Sequence, residues 1–307
     1  MNDSALPTLP PNLLIIRNPT AGSGRRAALF RAVQSALLNA GCRIDIHDTK
    51  GPGAAEDMAH AARHGTYDAV IVAGGDGTIN EAVNGLAGSD LPLGIIPLGT
   101  ANVLAAELDL PEGAAAIARI IADGISIPVH LGQANGRFFI QMAGIGFDAH
   151  VVSKVQPRLK RLIGKGAYVV ESIRALWGFA FRRYHLTIDG QTYETASAVI
   201  ANGHYYGGRF TCAPAARIDR PVLHVCLFER AGPWHALRYA VGLALGRLHR
   251  MPDVRIVEAS FIVIEGPAGD PLQGDGEILN ILPAVVSVAR EKIRVLGSGA
   301  SISRTGG

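Results

Sequence analysis

The chain predicts an α/β fold with an N-terminal open parallel α/β domain and a C-terminal, mainly antiparallel β domain that carries inserted helices. Three observations predict it. A chain of 307 residues with 48% apolar and 18% charged residues can bury a large core and suggests two domains. Apolar runs alternate with helical spacing in the first 124 residues. From about residue 125, short β-type runs with tight turns prevail.

Strands and helices alternate in the N-terminal part. The predicted strands are 13–16, 43–47, 69–73 and 93–96, and the predicted helices are 25–39, 56–64, 100–108 and 113–122. This order is typical of a parallel sheet with right-handed crossovers, which place the carboxyl ends of the strands at one edge. Ligands of such sheets bind at that edge, where Asn18, Thr49, Gly74 and Thr100 follow strands or their exits.

The pattern changes in the C-terminal part. Predicted strands are 125–131, 137–141, 184–188, 198–200, 223–228 and 260–264, and helical spacing recurs near 159–181 and 233–246. We therefore expect two domains. The first covers 1–124 and is completed by 290–307, and the second covers 125–289.

A glycine-rich turn is the most informative motif. Residues 74–81 read Gly-Gly-Asp-Gly-Thr-Ile-Asn-Glu, between an apolar strand and a helix start. Glycines allow backbone N–H groups to approach phosphate oxygens, and a helix N-terminus favours anions. An ordinary strand-to-helix turn is the alternative. The Gly-x-x-x-x-Gly-Lys-Ser/Thr pattern is absent from the sequence, so this is not a P-loop enzyme.

Five glycine-containing motifs occur along the chain. They are Asn-Pro-Thr-Ala-Gly-Ser-Gly at 18–24, Gly-Gly-Asp-Gly-Thr at 74–78, Gly-Thr-Ala-Asn at 99–102, Gly-Ile-Gly-Phe-Asp at 144–148 and Gly-Asp-Gly-Glu at 274–277. Their sequences and their order resemble those of the diacylglycerol kinase catalytic-domain family, which includes bacterial lipid kinases and sphingosine kinases. Nicotinamide dinucleotide kinases share the second motif, so that motif alone does not select the acceptor.

The resemblance implies a site that uses ATP and Mg²⁺. The expected nucleotide-binding residues are Asn18, Thr49, Gly74, Gly75, Asp76, Gly77, Thr78, Ile79, Asn80 and Thr100. Asp76 is the expected metal ligand, because Mg²⁺ prefers carboxylate, phosphate and water oxygens.

Transfer to an alcohol needs a group that accepts the hydroxyl proton. Glu277 is the predicted base, and Asp275 is expected to orient it or to tune the metal. An exposed acidic turn is the alternative for Asp-Gly-Glu, and the resemblance to the family favours the catalytic interpretation.

The sequence departs from the family at two places. Val103 follows Asn102 where the family usually has Asp. Arg220 stands where a structural Mg²⁺ loop usually supplies a ligand. Our hypothesis is that the Arg220 guanidinium replaces this cation and pairs with nearby carboxylates.

Charge is unevenly distributed although the net charge is only +3. Segment 154–183 holds eight cations and one acid, which suggests contact with an anionic membrane surface. Three scattered cysteines, the lack of a signal-like N-terminus and the lack of a long apolar run favour a cytoplasmic, peripherally membrane-associated protein. No nucleic-acid partner is expected, and a homodimer is left open.

The predicted activity is therefore that of an ATP-dependent lipid kinase. Its acceptor would be the hydroxyl of a diacylglycerol-like lipid, a sphingoid base or ceramide, or phosphatidylglycerol. Two alternatives stay open at this point: a kinase of a soluble acceptor such as a dinucleotide, and a catalytically weak regulator that binds nucleotide or lipid.

Overall fold

The structure is a computed structural model that describes residues 11–21, 24–154, 174, 176 and 178–297. Its strands are β1 (Asn12–Arg17), β2 (Arg43–Asp48), β3 (Ala69–Gly74), β4 (Leu93–Pro97), β5 (Ser126–Ala134), β6 (Arg137–Phe139), β7 (Met142–Ile145), β8 (Tyr184–Ile188), β9 (Gln191–Thr195), β10 (Ser197–Ala201), β11 (Tyr205–Tyr206), β12 (Phe210–Thr211), β13 (Leu223–Phe228), β14 (Val254–Ala259), β15 (Phe261–Glu265), β16 (Pro271–Gly274), β17 (Glu277–Ile281) and β18 (Ala284–Leu296).

Helices lie mostly in the first half of the described chain. They are α1 (Arg25–Asn39), α2 (Ala54–Ala62), α3 (Asp76–Leu86), α4 (Val103–Glu107), α5 (Ala114–Asp123), α6 (Phe147–Lys154) and α7 (Pro233–Ala244), with a short 3-10 helix at Leu248–Arg250. The helical spacing near 159–181 falls almost wholly outside the described residues.

The chain forms two compact units. The first contains residues 1–99, 108–127 and 293–307, and the second contains 100–107 and 128–292. The sequence predicted functional domains at 1–124 with 290–307 and at 125–289, and this division into functional domains stays a prediction.

A parallel sheet forms the centre of the first unit. Its strand order is β2-β1-β3-β4, and the end of β18 adds next to β4 through Val295 and Leu93. All six residues of β3 are buried, as expected of a strand covered on both faces. Ile15, Ile71 and Ile96 pack with α1 and α5 residues in one core, which confirms the predicted parallel α/β architecture.

Antiparallel sheets form the second unit. One has the order β14-β13-β10-β7-β16-β17, and the other continues from the start of β18 through β15 and β8 to β9. The core between them contains Phe139, Tyr184 and Ile262. The mainly antiparallel character predicted for this half is thus confirmed.

Helix α3, which follows the glycine-rich turn, packs closely on α2 at Gly85. A Cβ atom at Gly85 would lie 2.4 Å from the carbonyl oxygen of Glu56 and 2.9 Å from the Cβ of Ala59. The absence of a side chain therefore sets the spacing of the two helices.

We predict that Gly85→Ala lowers the free energy of unfolding by about 1–3 kcal/mol, although alanine normally favours a helix over glycine. The matched control is Gly51→Ala, where no heavy atom lies within 4 Å of the added Cβ. Urea unfolding of both variants measures the difference. Equal stability of Gly85→Ala and the wild type would contradict the described packing.

Candidate active site

The glycine-rich turn joins β3 to α3 in the first unit. Gly74 ends β3, Gly75 is the N-cap with an extended backbone, and Asp76 begins α3. The first-turn N–H groups of a helix have no partner within the helix, and its dipole favours negative charge. The turn therefore has the geometry of an anion-binding helix start.

Glycine is required at this turn by close packing. A Cβ at Gly74 would lie 2.8 Å from the Cβ of Thr78, and one at Gly75 would lie 3.2 Å from the Cα of Gly99. A side chain at Gly74 would push Thr78 and α3 away from β3, and a side chain at Gly75 would press on the backbone of Gly99. Gly75 therefore allows two backbone segments to approach each other, and such an approach is a feature of phosphate cradles.

Asn18 connects the turn to the loop after β1. Its side-chain amide donates to the Thr78 hydroxyl at 3.0 Å, and its carbonyl oxygen accepts from the backbone N–H and the hydroxyl of Thr20. The backbone N–H of Asn18 also donates to the carbonyl of Ala73 at 2.9 Å. Two motifs that lie far apart in the sequence are thus joined by direct hydrogen bonds.

The other predicted nucleotide residues have different surroundings. Thr49 follows β2, where its N–H donates to the carbonyl of Arg17. Gly77 is half-buried in the first turn of α3, whereas Ile79 and Asn80 are buried. Thr100 is exposed and belongs to the second unit. The structure therefore brings Asn18, the glycine turn and Thr78 together, and Ile79 and Asn80 support the turn from inside the first unit.

Asp76 is the candidate metal ligand. It is half-buried in the first turn of α3, next to the expected phosphate position. No group of three or more His, Cys, Asp or Glu side chains that could hold a metal occurs within the part of the chain that the structure describes. One carboxylate is compatible with Mg²⁺, which commonly binds one or two carboxylates together with substrate phosphates and water.

A tight hairpin turn presents the candidate base in the second unit. Asp275 and Gly276 join β16 to β17 with backbone φ angles of 50° and 85°, as in a type I′ turn. Glu277 is the first residue of β17, pairs with Gly274 and is exposed. Its carboxylate is therefore accessible to an acceptor molecule.

Asp275 anchors this turn to the sheet. Its carboxylate accepts hydrogen bonds from the backbone N–H groups of Ile140, Gln141 and Met142 at 2.7–3.0 Å. Its own N–H donates to the carbonyl of Met142 at 2.9 Å. A carboxylate that is held by three amides fixes the backbone that carries Glu277, so its contacts are those of a positioning residue.

A second set of hydrogen bonds holds the turn from its other side. The N–H of Gly276 donates to the side-chain oxygen of Gln273 at 3.0 Å, and the Gln273 amide donates to Asp148 at 2.7 Å. The Tyr206 hydroxyl donates to the other oxygen of Asp148. Burial raises the pKa of Asp148, and the hydrogen bonds from Tyr206 and Gln273 oppose that shift.

The glycines of the Gly-Ile-Gly-Phe-Asp motif make room for this set of contacts. A Cβ at Gly144 would lie 1.9 Å from the Oδ2 of Asp148, and Gly146 has a φ of 77°. The sharp turn at Gly146 folds α6 back, and the Asp148 carboxylate lies over Gly144. The motif therefore places an acid behind the Asp-Gly-Glu turn.

A buried carboxylate, Glu107, lies at the end of α4. It accepts from the backbone N–H groups of His204 and Tyr205 at 3.1–3.2 Å, and its Oε1 lies 3.7 Å from the Nδ1 of His204. Burial raises the pKa of Glu107, and His204 and the two amides oppose that shift. Glu107 thus organises the segment leading into β11.

One departure from the family pattern, Val103, is explained by packing. Val103 is buried at the start of α4, where it packs as an apolar side chain.

The hypothesis that Arg220 replaces a cation by pairing with nearby carboxylates is wrong. Arg217 pairs with both oxygens of Asp219, at 3.1 and 3.3 Å, whereas Arg220 is exposed and makes no ion pair within the described residues. Arg217 is therefore the cation of this loop.

Comparisons with known proteins show to which family the chain belongs. The model of the diacylglycerol kinase catalytic domain matches residues 12–134, and that of the YegS C-terminal NAD kinase beta sandwich-like domain matches residues 141–297. The chain belongs to the diacylglycerol kinase catalytic-domain family. It is accordingly a phosphotransferase with an alcohol group as acceptor, within a family of lipid kinases.

Curated relatives align over nearly the whole length of this kinase. The diacylglycerol kinase of Bacillus subtilis (strain 168) is 29% identical over 274 residues, covering 88% of this chain and 90% of that protein. The diacylglycerol kinase of Staphylococcus carnosus (strain TM300) is 28% identical over 285 residues, covering 92% and 93%.

Solved structures show the same fold. A crystal structure from Bacillus anthracis str. Sterne has 25% identity and a TM-score of 0.80, and covers 98% of this kinase and 99% of that chain. A second, of a diacylglycerol kinase from the same strain, has 24% identity and a TM-score of 0.71, and covers 96% and 99%.

Sequence reasoning missed the residues that support the predicted base. Gln273, Tyr206 and Glu107 belong to none of the motifs. The spacing of Gln273 three residues before Gly276 was the available signal, since a glutamine there can bond the turn backbone.

We predict that Gln273→Glu loosens the turn, because it sets two carboxylates against each other, at a cost of about 1–3 kcal/mol. Adding Asp148→Asn restores the contact with reversed polarity, since an asparagine amide at position 148 would then donate to the new carboxylate at position 273. Thermal unfolding and amide exchange at Gly276 measure the effect.

The control is Gln191→Glu, since this exposed side chain accepts from Tyr193 and still can as a carboxylate. A double variant no better than Gln273→Glu alone would show that Asp148 and Gln273 act independently.

Proposed function

We propose that this kinase transfers the γ-phosphate of ATP to a hydroxyl of a membrane lipid, with a diacylglycerol-like lipid as the first candidate. The observation that supports this most is the Asp275 anchor, because it leaves Glu277 exposed on a backbone held by four hydrogen bonds. The names of the curated relatives support the choice of lipid. A sphingoid base, ceramide and phosphatidylglycerol are the other candidates.

Phosphoryl transfer relies mainly on positioning and on stabilisation of charge. We assign the β- and γ-phosphates to the first turn of α3, with Gly74, Gly75 and Gly77 as the backbone cradle. Asn18 and Thr78 hold the cradle, and Thr49 and Thr100 complete the proposed nucleotide set. Ile79 and Asn80 contribute by anchoring α3 in the core.

Mg²⁺ would be held by Asp76 together with phosphate oxygens and water, and would supply neutralisation of phosphate charge. Asp76 is suited to this because it lies in the same helical turn as the proposed phosphate position.

Glu277 is the proposed general base. As the lipid hydroxyl oxygen forms its bond to the γ-phosphorus, the bond from that phosphorus to the ADP oxygen breaks and the hydroxyl proton passes to Glu277. Asp275 keeps the turn in place and takes no proton in this scheme, since its oxygens accept from three amides.

We further propose that the protein is cytoplasmic and associates peripherally with the membrane. No helix in the described part of the chain is long and apolar enough to span a bilayer. The charge of the basic segment 154–183 suggests contact with anionic lipid, and its residues 155–173 lie outside the described part of the chain. Of its described cations, Arg182 pairs with Asp270 and Arg183 with Glu194. The proposed contact therefore rests on the sequence of this segment.

We predict that Glu277→Gln lowers kcat for lipid phosphorylation by about 10²-fold or more, because the hydroxyl proton loses its acceptor. Nucleotide affinity should stay at the wild-type value. Radiolabelled lipid product and ATP binding by calorimetry are the two measurements. Glu265→Gln, another exposed glutamate of the second unit, is the control and should retain full kcat.

Retention of kcat in Glu277→Gln would remove Glu277 from the mechanism. A wild-type protein that binds ATP and phosphorylates no lipid would instead support the regulator alternative.

We predict that Asp76→Asn raises the Mg²⁺ concentration needed for half-maximal activity by about tenfold or more, since a carboxylate ligand is lost. Titration of Mg²⁺ at fixed ATP measures the change. Asp57→Asn, an exposed acid in the first turn of α2, is the control. An unchanged Mg²⁺ requirement in Asp76→Asn would exclude Asp76 as a ligand.

A further inference from the structure

Helix α7 exposes a row of large apolar side chains. Trp234 is 73% exposed, Leu237 43%, Val241 49% and Leu245, one residue beyond the helix, 64%. At about 100° per residue these four side chains fall within about 80° of the helix circumference. They form one continuous apolar stripe, which we call the α7 face.

The opposite side of α7 attaches the helix to the second unit. Tyr239 is buried, and its ring packs against Phe228 with centroids 5.0 Å apart and planes tilted by 45°. Its hydroxyl donates to Asp253 at 2.7 Å. A Cβ at Gly242 would lie 2.7 Å from the sulfur of Met251. Since these contacts already hold α7, folding of this unit does not require the α7 face to be apolar.

The charge around the α7 face is predominantly positive. Between Glu229 and Asp253 the chain has four arginines and no acidic residue. They are Arg230, Arg238, Arg247 and Arg250, and all four are exposed. Arg238 pairs with Asp253. An apolar stripe with Trp and Leu, bordered by arginines, is typical of a helix that lies in the interface of an anionic bilayer.

The α7 face is also connected to the proposed base. Strand β12 lies against α7 and carries Phe210, a further exposed apolar side chain. Its partner β11 carries Tyr206, which donates to Asp148 behind the Asp275 turn. A surface that enters lipid would thus belong to the same packed elements that hold Glu277.

We propose that the α7 face, extended by Phe210, is the surface through which this kinase docks on anionic phospholipid and meets its lipid substrate. The inference rests on the proposed lipid kinase function and specifies how the acceptor is reached. A second copy of the chain is a poorer occupant. A twofold contact between two α7 faces would bring the arginines that border one face close to those that border the other, and like charges would repel.

The test is co-sedimentation with vesicles of phosphatidylcholine, with and without phosphatidylglycerol. The wild type should bind the anionic vesicles preferentially. Trp234→Ser combined with Leu245→Ser should weaken binding by about tenfold or more, because two apolar side chains no longer enter the lipid. Leu38→Ser, which changes an exposed leucine of the first unit, should bind as the wild type does.

A fluorescence readout isolates the contact itself. The chain has two tryptophans, so Trp177→Phe leaves Trp234 as the reporter. Its emission should shift to shorter wavelength when anionic vesicles are added, since the indole enters a less polar environment.

Activity toward a short-chain acceptor in detergent solution should be unchanged in the variant that combines Trp234→Ser with Leu245→Ser, because the reacting groups are intact.

Three results would overturn the proposal. The first is that the double variant binds vesicles as well as the wild type does. The second is that anionic vesicles do not shift the emission of Trp234. The third is that the wild type is a dimer which the double variant converts to a monomer, with no change in vesicle binding. Vesicle binding by a protein without lipid kinase activity would contradict the proposed function and leave the docking surface standing.

Discussion

The hydrogen bonds between Asp275 and the start of β7 are the constraint on which the proposed chemistry depends. A type I′ turn between two short strands has little stability of its own. Three amides that bind one carboxylate hold this turn to residues 140–142, which lead into β7 in the interior of the antiparallel sheet. Glu277 is the first residue of β17 after this turn, so the position of its backbone is set by the sheet.

The family motifs are parts of this constraint and of its counterpart in the first unit. Gly144 leaves space for Asp148, and Asp148 holds Gln273, which holds Gly276. In the first unit Gly74 leaves space for Thr78, which Asn18 holds in turn. In both units a glycine permits a close approach and a polar side chain fixes it. The residue types of the motifs therefore reflect packing requirements in addition to the substrate contacts that we propose.

Much of the fold could be predicted from the sequence. The predicted helix 25–39 and the strands 184–188 and 223–228 have the observed bounds, because apolar spacing and clear end signals coincide there. Strands β16 and β17 were missed as strands, since they are short and their pairing is decided by distant partners. Helix α4 begins at Val103 and not at Thr100, after Asn102 with a φ of 49°.

The site could be predicted less completely. Motif residues were found because glycines and acids in fixed order are visible in the sequence. Gln273, Glu107 and the pairing of Arg217 with Asp219 depend on which strands become neighbours, and local sequence does not contain that information. The exposure of Trp234 was hidden for the same reason, since an apolar stripe on a helix is usually buried.

The most direct test of the account follows the phosphate. The wild-type protein is incubated with γ-labelled ATP and a mixed lipid extract, and the products are separated by thin-layer chromatography and identified by mass spectrometry. The account predicts label in a phosphorylated lipid that had a free hydroxyl. Label that is confined to inorganic phosphate or to a dinucleotide would contradict it.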